Sequence, residues 1–99
     1  VDDHVGAILD TLDRTRMADD TIVLFCSDHG EMLGERGLWF KMSFLEGSAR
    51  VPLMIAGKGI APGNHATATS NLDICPTLCD LAGIDMSAIQ PWTDGTSLK

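Results

Sequence analysis

The stretch TIVLFCSDHGE, at residues 21–31, decides how this chain folds. Its first six positions form a nearly continuous apolar run that begins with β-branched side chains, which is typical of a strand covered on both faces. From Ser27 onward the residues are polar or glycine, so the chain leaves the carboxyl end of the strand and enters a loop. Functional side chains of α/β proteins collect at that end of a sheet. The stretch therefore predicts a central parallel strand that presents Asp28 and His29.

The flanking sequence predicts a helix before this strand and a second strand after it. The apolar residues Val5, Ile8, Leu9 and Leu12 follow the i, i+3, i+4, i+7 spacing of an amphipathic helix. Residues 27–37 hold glycines among charged residues and predict a loop with a helical turn, whereas residues 38–50 fit no single pattern. Residues 51–56, VPLMIA, predict the second strand.

A second helix is predicted over residues 73–83. Asp73 supplies a capping carboxylate, Pro76 lies in the first turn, and Gly83 follows the last turn. Residues 84–99 show no period and are predicted to be loop. The order helix, strand, loop, strand and helix indicates a layered α/β fold. Because a parallel sheet needs more strands than these, we interpret the chain as one piece of a larger sheet.

Composition limits the partners that this chain can have. Its 99 residues are 44% hydrophobic and 21% charged, as in ordinary globular chains. The net charge of -7 disfavours nucleic acid, and no apolar run approaches the roughly 20 residues of a membrane span. Cys26, Cys75 and Cys79 lie in apolar stretches, and their odd number argues against a disulfide framework. They are predicted to be buried free thiols in a reducing compartment, such as the bacterial cytoplasm.

Asp28 and His29 are candidate metal ligands, and Lys41 is a candidate anion-binding residue. A carboxylate and an imidazole held at the end of a rigid strand can bind a divalent ion. Adjacent side chains usually diverge, however, so the dipeptide by itself is a weak signal, and one of its side chains can simply cap a turn. Lys41 carries a compact positive charge suited to an anionic oxygen, but a solvated loop lysine has the same sequence signature. Spacing alone leaves these alternatives open.

Residues 21–31 as a whole resemble the strand-and-loop motif of the sulfatases in the alkaline phosphatase superfamily. The likeness continues, in the family's order, through residues 2–12, 46–53, 73–78 and 94–98. Residues 33–44, LGERGLWFKMSF, are most similar to the choline sulfatases, bacterial enzymes that hydrolyse choline-O-sulfate. The resemblance implies a partial alkaline-phosphatase-like layered sheet with flanking helices, in which residues 1–99 are a single fragment of the catalytic domain.

This resemblance also implies roles for the candidate residues. Asp28 and His29 would ligate the active-site metal, and Lys41 would reach the sulfate group. The metal is expected to be Ca²⁺, with Mg²⁺ and Mn²⁺ as alternatives because imidazole is a softer ligand than oxygen. The small sulfate ester that is the substrate would lie against these groups.

The family's nucleophile is not found in residues 1–99. It is a formylglycine made from the first residue of a Cys-x-Pro-Ser-Arg type motif, and Cys75 does not fit because Pro76 follows it directly. The paired aspartates that complete the family's metal shell are also missing. We therefore expect the isolated chain to be inactive and to need the remainder of the catalytic domain as its partner.

Two further functions are compatible with the sequence. Within enzymes, the parent could be an aryl or carbohydrate sulfatase or a phosphonate monoester hydrolase, with Trp39, Phe40 and Phe44 either lining a quaternary-ammonium pocket or packing in a core. Outside enzymes, the chain could be a non-catalytic module that forms a homo-oligomer through an exposed sheet edge. His4 and His65 match no ligand position and are predicted to be surface residues.

Overall fold

The computed structural model describes all of residues 1–99, which divide into two compact units, Val1–Gly63 and Asn64–Lys99. The α-helices and β-strands are α1 Asp2–Arg14, β1 Val23–Cys26, α2 Glu46–Ala49, β2 Leu53–Ala56, α3 Ile74–Leu81 and α4 Met86–Ile89. Single 3₁₀ turns lie at Ala18–Asp20, Glu35–Gly37, Asn71–Asp73 and Gln90–Trp92. None of the helices has both the length and the apolar character needed to cross a bilayer.

The first unit begins with α1, which confirms the helix predicted from the apolar spacing. Asp2 and Asp3 lie in its first turn and Arg14 in its last, so the charges at both ends complement the helix dipole. Thr15 donates its hydroxyl to the carbonyl of Thr11 at 2.8 Å and satisfies part of the helix end. The helix therefore ends where its sequence provides polar groups for the last carbonyls.

Both predicted strands form, and they pair with each other. β1 and β2 are antiparallel, with Val23 opposite Ala56 and Cys26 opposite Leu53. The prediction that β1 is a central parallel strand is therefore wrong for the pairing seen in this chain. A parallel pair needs a crossover that carries the chain back to the starting end of the sheet. Residues 27–52 instead form a loop and the single turn of α2, and the chain returns in the opposite direction.

One face of this sheet and the apolar stripe of α1 border an open groove of about 700 Å³. From the helix the groove is lined by Val5, Leu9 and Leu12, and from the strands by Val23, Phe25, Met54 and Ala56. The strand side chains lie on one face because alternate residues of a strand point the same way. The predicted amphipathic face thus exists, but no α1 residue is buried.

The chain buries few of its own apolar side chains. Met32, at 1% exposure, is its only buried hydrophobic residue apart from Pro76. The accessible surface is 8015 Å², well above the roughly 5,500 Å² that surface-to-mass scaling gives for a compact chain of this size. Large apolar side chains such as Trp39, Phe44 and Trp92 are exposed. The apolar faces of this chain are therefore mostly uncovered by the chain itself.

The second unit is built around α3, whose predicted boundaries are confirmed. The turn before it is closed by a capping box, in which Ser70 accepts the N–H of Leu72 at 3.3 Å and donates its own N–H to the Asp73 carboxylate at 2.8 Å. Ser70, and not Asp73, is thus the residue whose side chain caps the helical segment. Gly83 has a left-handed φ of 77° and ends the helix as predicted.

The tail is held against α3 by side-chain hydrogen bonds. The N–H of Thr96 donates to Asp73 at 2.8 Å, and the N–H of Leu98 donates to the hydroxyl of Thr77 at 3.0 Å. Asp80 accepts from Ser97 at 2.7 Å. The prediction that residues 84–99 are entirely loop is wrong at α4, where the Asp85 side chain caps a single turn that has too few residues to show a period.

The three cysteines are free, but they are not buried as predicted. Cys26 and Cys75 are exposed, and Cys79 is half-buried. Partial burial and the neighbouring Cys75 raise the pKa of the Cys79 thiol. The prediction failed because an apolar sequence context marks a side chain for burial only where another element covers it.

The Asp73 carboxylate is predicted to stabilise the second unit. The backbone N–H groups of Thr96 and Ser70 hold the pKa of Asp73 below its ordinary value. The folded chain therefore binds fewer protons here than the unfolded chain, so this stabilisation is present above about pH 4 and is lost as the pH falls further. Asp73→Asn should lower the thermal midpoint by a few degrees at neutral pH, and its midpoint should change less with acid, as measured by circular dichroism.

The matched control for this experiment is Asp94→Asn, which changes an exposed aspartate in the tail. It should melt like the unmodified chain at neutral pH and keep the same acid dependence. If both substitutions lowered the midpoint equally, the hydrogen bonds to Asp73 would not contribute specifically to thermal stability.

Candidate functional site

The loop that follows β1 holds Asp28 and His29 in a tight arrangement. The hydroxyl of Ser27 donates to the carbonyl of His29 at 2.8 Å, and the backbone N–H of His29 donates to Oδ1 of Asp28 at 2.9 Å. The second carboxylate oxygen, Oδ2, lies 3.4 Å from Nε2 of the His29 ring. The two adjacent side chains therefore converge, while the Asp28 carboxylate also caps the turn through the His29 N–H.

The hydrogen bonds of the His29 ring fix the roles of its two nitrogens. Nδ1 lies 2.7 Å from the carbonyl of Gly30, and because a carbonyl only accepts, Nδ1 must carry the proton. Nε2 lies 2.7 Å from Nζ of Lys41 and must accept, because an ammonium only donates. An ion pair between Nε2 and Asp28 would require a proton on that same nitrogen. Because the contact to Lys41 is shorter, at 2.7 Å against 3.4 Å, we assign Nε2 as the acceptor. In this hydrogen-bond arrangement the Nε2 lone pair is directed at Lys41.

Ser48 positions Lys41 and the Asp28 loop against each other. The carbonyl of Ser48 accepts the N–H of Gly30 at 2.8 Å, and the hydroxyl of Ser48 donates to the carbonyl of Lys41. Ser48 itself is 3% exposed. Gly30 passes so close to α2 that a β-carbon at this position would overlap the carbonyl of Gly47. These backbone contacts bring Lys41 to His29 across a separation of 12 residues.

Backbone hydrogen bonds to Met32 hold the segment between His29 and Lys41 in a compact conformation. The N–H of Met32 donates to the carbonyl of Phe40 at 3.2 Å, and the N–H of Glu35 donates to the carbonyl of Met32 at 2.9 Å. Leu33, Arg36 and Phe40 all have left-handed φ values, between 52° and 71°. Such values are unfavourable for side chains with a β-carbon and concentrate at functional sites. The strained residue Phe40 directly precedes Lys41 in the chain.

The electrostatics of the site favour a charged carboxylate beside a positive group. The backbone N–H of His29 holds the pKa of Asp28 below its ordinary value, and the charge of Lys41 acts in the same direction. The Asp28 side chain is 81% exposed and that of His29 is 36% exposed. The site thus opens to solvent, where an ion or a small anion can reach all three side chains.

These donor groups fit a divalent ion. Ligands at right angles around an ion with bonds of about 2.4 Å lie roughly 3.4 Å apart, which is the separation of Asp28 Oδ2 and His29 Nε2. The Nδ1 proton of His29 is held by a backbone carbonyl, the arrangement that orients metal-binding histidines. No cluster of three or more His, Cys, Asp or Glu side chains exists in the chain. By itself the pair could therefore supply only two of the ligands that a divalent ion needs.

The structure brings together all three residues that the sequence singled out, Asp28, His29 and Lys41. His4 and His65 are exposed and lie outside the site, as predicted. Sequence reasoning missed Ser48 and Met32, whose roles depend on contacts between distant segments. The only sequence signal for this close approach was the conformational freedom of a glycine directly after the Asp-His pair.

Comparison with known proteins identifies relatives along nearly the whole chain. Residues 1–84 match the family described as Sulfatase. The chain is 72% identical over 98 residues to the choline-sulfatase of Rhizobium meliloti (strain 1021), covering 99% of this chain and 19% of that protein. It is 41% identical over 86 residues to human arylsulfatase K, covering 86% of this chain and 16% of that protein.

Among solved structures, the phosphonate monoester hydrolase of Silicibacter pomeroyi has a similar fold. The TM-score is 0.85 at 38% identity, and the match covers 99% of this chain and 19% of that chain. The chain thus spans less than a fifth of the length of the Rhizobium meliloti choline-sulfatase and of the Silicibacter pomeroyi hydrolase. Its local fold is one that also occurs inside a much larger hydrolase.

We predict that Gly30→Ala disrupts the site through the backbone. The added β-carbon meets the Gly47 carbonyl, so the loop and α2 must separate. This should lower the free energy of unfolding by about 1–3 kcal/mol, the usual cost of overpacking. Urea unfolding measures the change, and cross-peaks between the His29 ring and Lys41 in nuclear magnetic resonance spectra report the contact.

Gly63→Ala is the matched control, because a β-carbon there meets nothing within 4 Å. It should leave both the unfolding free energy and the cross-peaks unchanged. A Gly30→Ala protein as stable as this control would show that the close approach of Gly30 to α2 is not required.

Proposed function

This chain belongs to the sulfatase family, and we propose that within a complete enzyme it supplies metal-binding and sulfate-binding residues for the hydrolysis of choline-O-sulfate to choline and sulfate. The observation that carries the proposal is the convergence of Asp28, His29 and Lys41, with Lys41 Nζ 2.7 Å from His29 Nε2. A carboxylate, a neutral imidazole and an ammonium at one solvent-facing point can hold a cation and an anion side by side.

Each of the three side chains has a separate role in this proposal. Asp28 and His29 hold a divalent ion, Ca²⁺ in the first instance and Mg²⁺ or Mn²⁺ as alternatives. When bound, that ion supplies positive charge against the transferring sulfate group. Lys41 binds a sulfate oxygen through its ammonium and stabilises the charge that develops as the ester bond breaks. The formylglycine nucleophile is proposed to come from the remainder of the catalytic domain.

Choline-O-sulfate is favoured over other esters by the graded similarity to relatives. Identity is 72% to a protein named choline-sulfatase, against 41% to an arylsulfatase K and 38% to a phosphonate monoester hydrolase. Trp39 and Phe44 are 67% and 103% exposed, so neither packs in a core formed by this chain. Aromatic faces next to Lys41 in the sequence suit the quaternary ammonium of choline, which they attract by cation–π contact.

The rest of the catalytic domain is the proposed partner of the uncovered apolar surfaces. The groove between α1 and the sheet is lined mainly by apolar side chains, with Asp2, Asp13 and Thr21 as its polar members. Exposed apolar areas of this kind mark surfaces that are buried in a larger assembly. Bacterial cytoplasm is the proposed compartment, because the relative with 72% identity is bacterial and the cysteines are free thiols.

A chimera tests the proposed function directly. Replacing the matching 98-residue segment of the Rhizobium meliloti choline-sulfatase with this chain should give a protein that hydrolyses choline-O-sulfate in a metal-dependent way. The isolated chain should show no turnover of choline-O-sulfate or of an aryl sulfate. In the chimera, Asp28→Ala, His29→Ala and Lys41→Ala should each lower kcat by about 10²–10³-fold, measured by sulfate release.

The matched controls are Asp94→Ala, His65→Ala and Lys58→Ala, which change exposed residues of the same three types outside the site. All three should retain the rate of the unmodified chimera. Three results would reject the proposal. The chimera could prefer an aryl sulfate or a phosphonate monoester, or the isolated chain could hydrolyse one of the esters. The site variants and the control variants could also lose kcat equally.

The second candidate, a self-associating module, is favoured by one observation, the uncovered apolar surface of the chain. We predict that the isolated chain forms oligomers at high concentration, seen as a rising mass in light scattering, because its apolar groove and sheet edges have no cover. Leu9→Glu in the groove should reduce this association. Monomers at every concentration would contradict the prediction, and association retained by the chimera would favour a true oligomeric function.

A further inference from the structure

The geometry points to a second role for Lys41, which we propose as a reversible occupant of the metal position. Its ammonium engages the Nε2 lone pair of His29 that a metal ion would need. With such an ion held by Asp28 and His29, Lys41 would contact the sulfate anion instead. This inference rests on the proposed function, since it concerns the same three side chains. It implies an order of binding, in which the cation binds first and Lys41 can then bind the anion.

The competition follows from the number of lone pairs on the His29 ring. Nδ1 carries a proton that is donated to the Gly30 carbonyl, so Nε2 is the only ring nitrogen able to ligate an ion. That same lone pair accepts the ammonium of Lys41 at 2.7 Å. A single lone pair cannot serve a metal bond and an N–H bond together. One cation must leave before the other can bind.

Charge repulsion acts in the same direction as the lost lone pair. An ion beside Asp28 Oδ2 and His29 Nε2 would lie within a few ångströms of Nζ as it stands, because Nζ is 2.7 Å from that nitrogen. Two positive charges at such a distance repel each other even in water. Asp28 can attract either cation, since the N–H that it accepts from His29 favours the charged form of its carboxylate. The carboxylate therefore does not relieve the competition.

Lys41 can move without rearranging its loop. Its backbone carbonyl accepts from the hydroxyl of Ser48 and from the N–H of Ser43 at 2.7 Å, so the backbone position is held. The residue is exposed, and four methylene groups separate the ammonium from this anchor. Rotation of the side chain alone is sufficient to carry Nζ away from His29. The backbone of Lys41 is thus held in place while its ammonium can change position.

The exchange changes the charge that the site presents to an anion. With Lys41 on His29, the charges of Lys41 and Asp28 cancel, and the three side chains have no net attraction for a sulfate ester. With a divalent ion bound and Lys41 displaced, the same side chains and the ion carry a net charge of about +2. A sulfate monoester, with its single negative charge, is attracted only in the second case.

Calorimetric titration of Ca²⁺ tests the competition, on both the full chain and the chimera. Lys41→Met removes the competing ammonium but keeps an unbranched side chain. It should bind Ca²⁺ about three- to tenfold more tightly than the unmodified protein. The gain should persist in 1 M salt, since a contact is screened far less than a distant charge. In spectra of ¹⁵N-labelled histidine, Lys41→Met should shift the His29 Nε2 resonance before any metal is added.

Lys58→Met is the matched control, because it removes one positive charge from an exposed position away from the site. It should leave Ca²⁺ affinity and the His29 resonance unchanged. Equal affinity of Lys41→Met and the unmodified protein would overturn the inference, as would a gain that disappears in 1 M salt. If the chimera hydrolyses choline-O-sulfate and still shows either result, the proposed function stands and the competition alone is rejected.

Discussion

The two hydrogen bonds of Ser48 are the constraint on which the site depends. Its carbonyl accepts the N–H of Gly30 at 2.8 Å, and its hydroxyl donates to the carbonyl of Lys41. Because Ser48 is almost fully buried, both bonds lie in surroundings of low dielectric, where hydrogen bonds are strong. They join the loop after β1 to the loop before α2. The meeting of His29 and Lys41 is thus fixed by backbone contacts, and the site side chains themselves remain exposed and able to exchange partners.

A backbone held in this way, with side chains that face solvent, suits the proposed site, which would serve both a cation and an anion. Asp28 is kept charged by a backbone N–H, and the His29 tautomer is set by the Gly30 carbonyl. Lys41 has only a smaller effect on Asp28, because the backbone N–H of His29 is the largest cause of its lowered pKa. Lys41 is therefore the one member of the site that can leave His29 without altering the ligand pair. In the proposed exchange, the net charge of the three side chains and any bound ion then determines whether a sulfate anion is attracted.

The fold supports this site with very little core of its own. Met32 is the only large aliphatic side chain that is buried, and its backbone N–H donates to the carbonyl of Phe40, the residue before Lys41. The apolar faces of α1 and of the sheet line an open groove. The chain spans 19% of the choline-sulfatase to which it is 72% identical, and its uncovered apolar surface suits the proposed burial within a larger domain.

The sequence by itself determined the elements whose signals are local. The periodicity before Leu12 gave α1, the proline and glycine around residues 76–83 gave α3, and the apolar runs gave both strands. The motif after β1 gave the Asp28 and His29 pair. Only the tertiary structure decided that the strands pair antiparallel, that the cysteines are exposed, and that Lys41 meets His29. The physical reason is that spacing encodes hydrogen bonds within a few residues, whereas strand direction, burial and contacts between distant loops depend on which surfaces the intervening chain brings together.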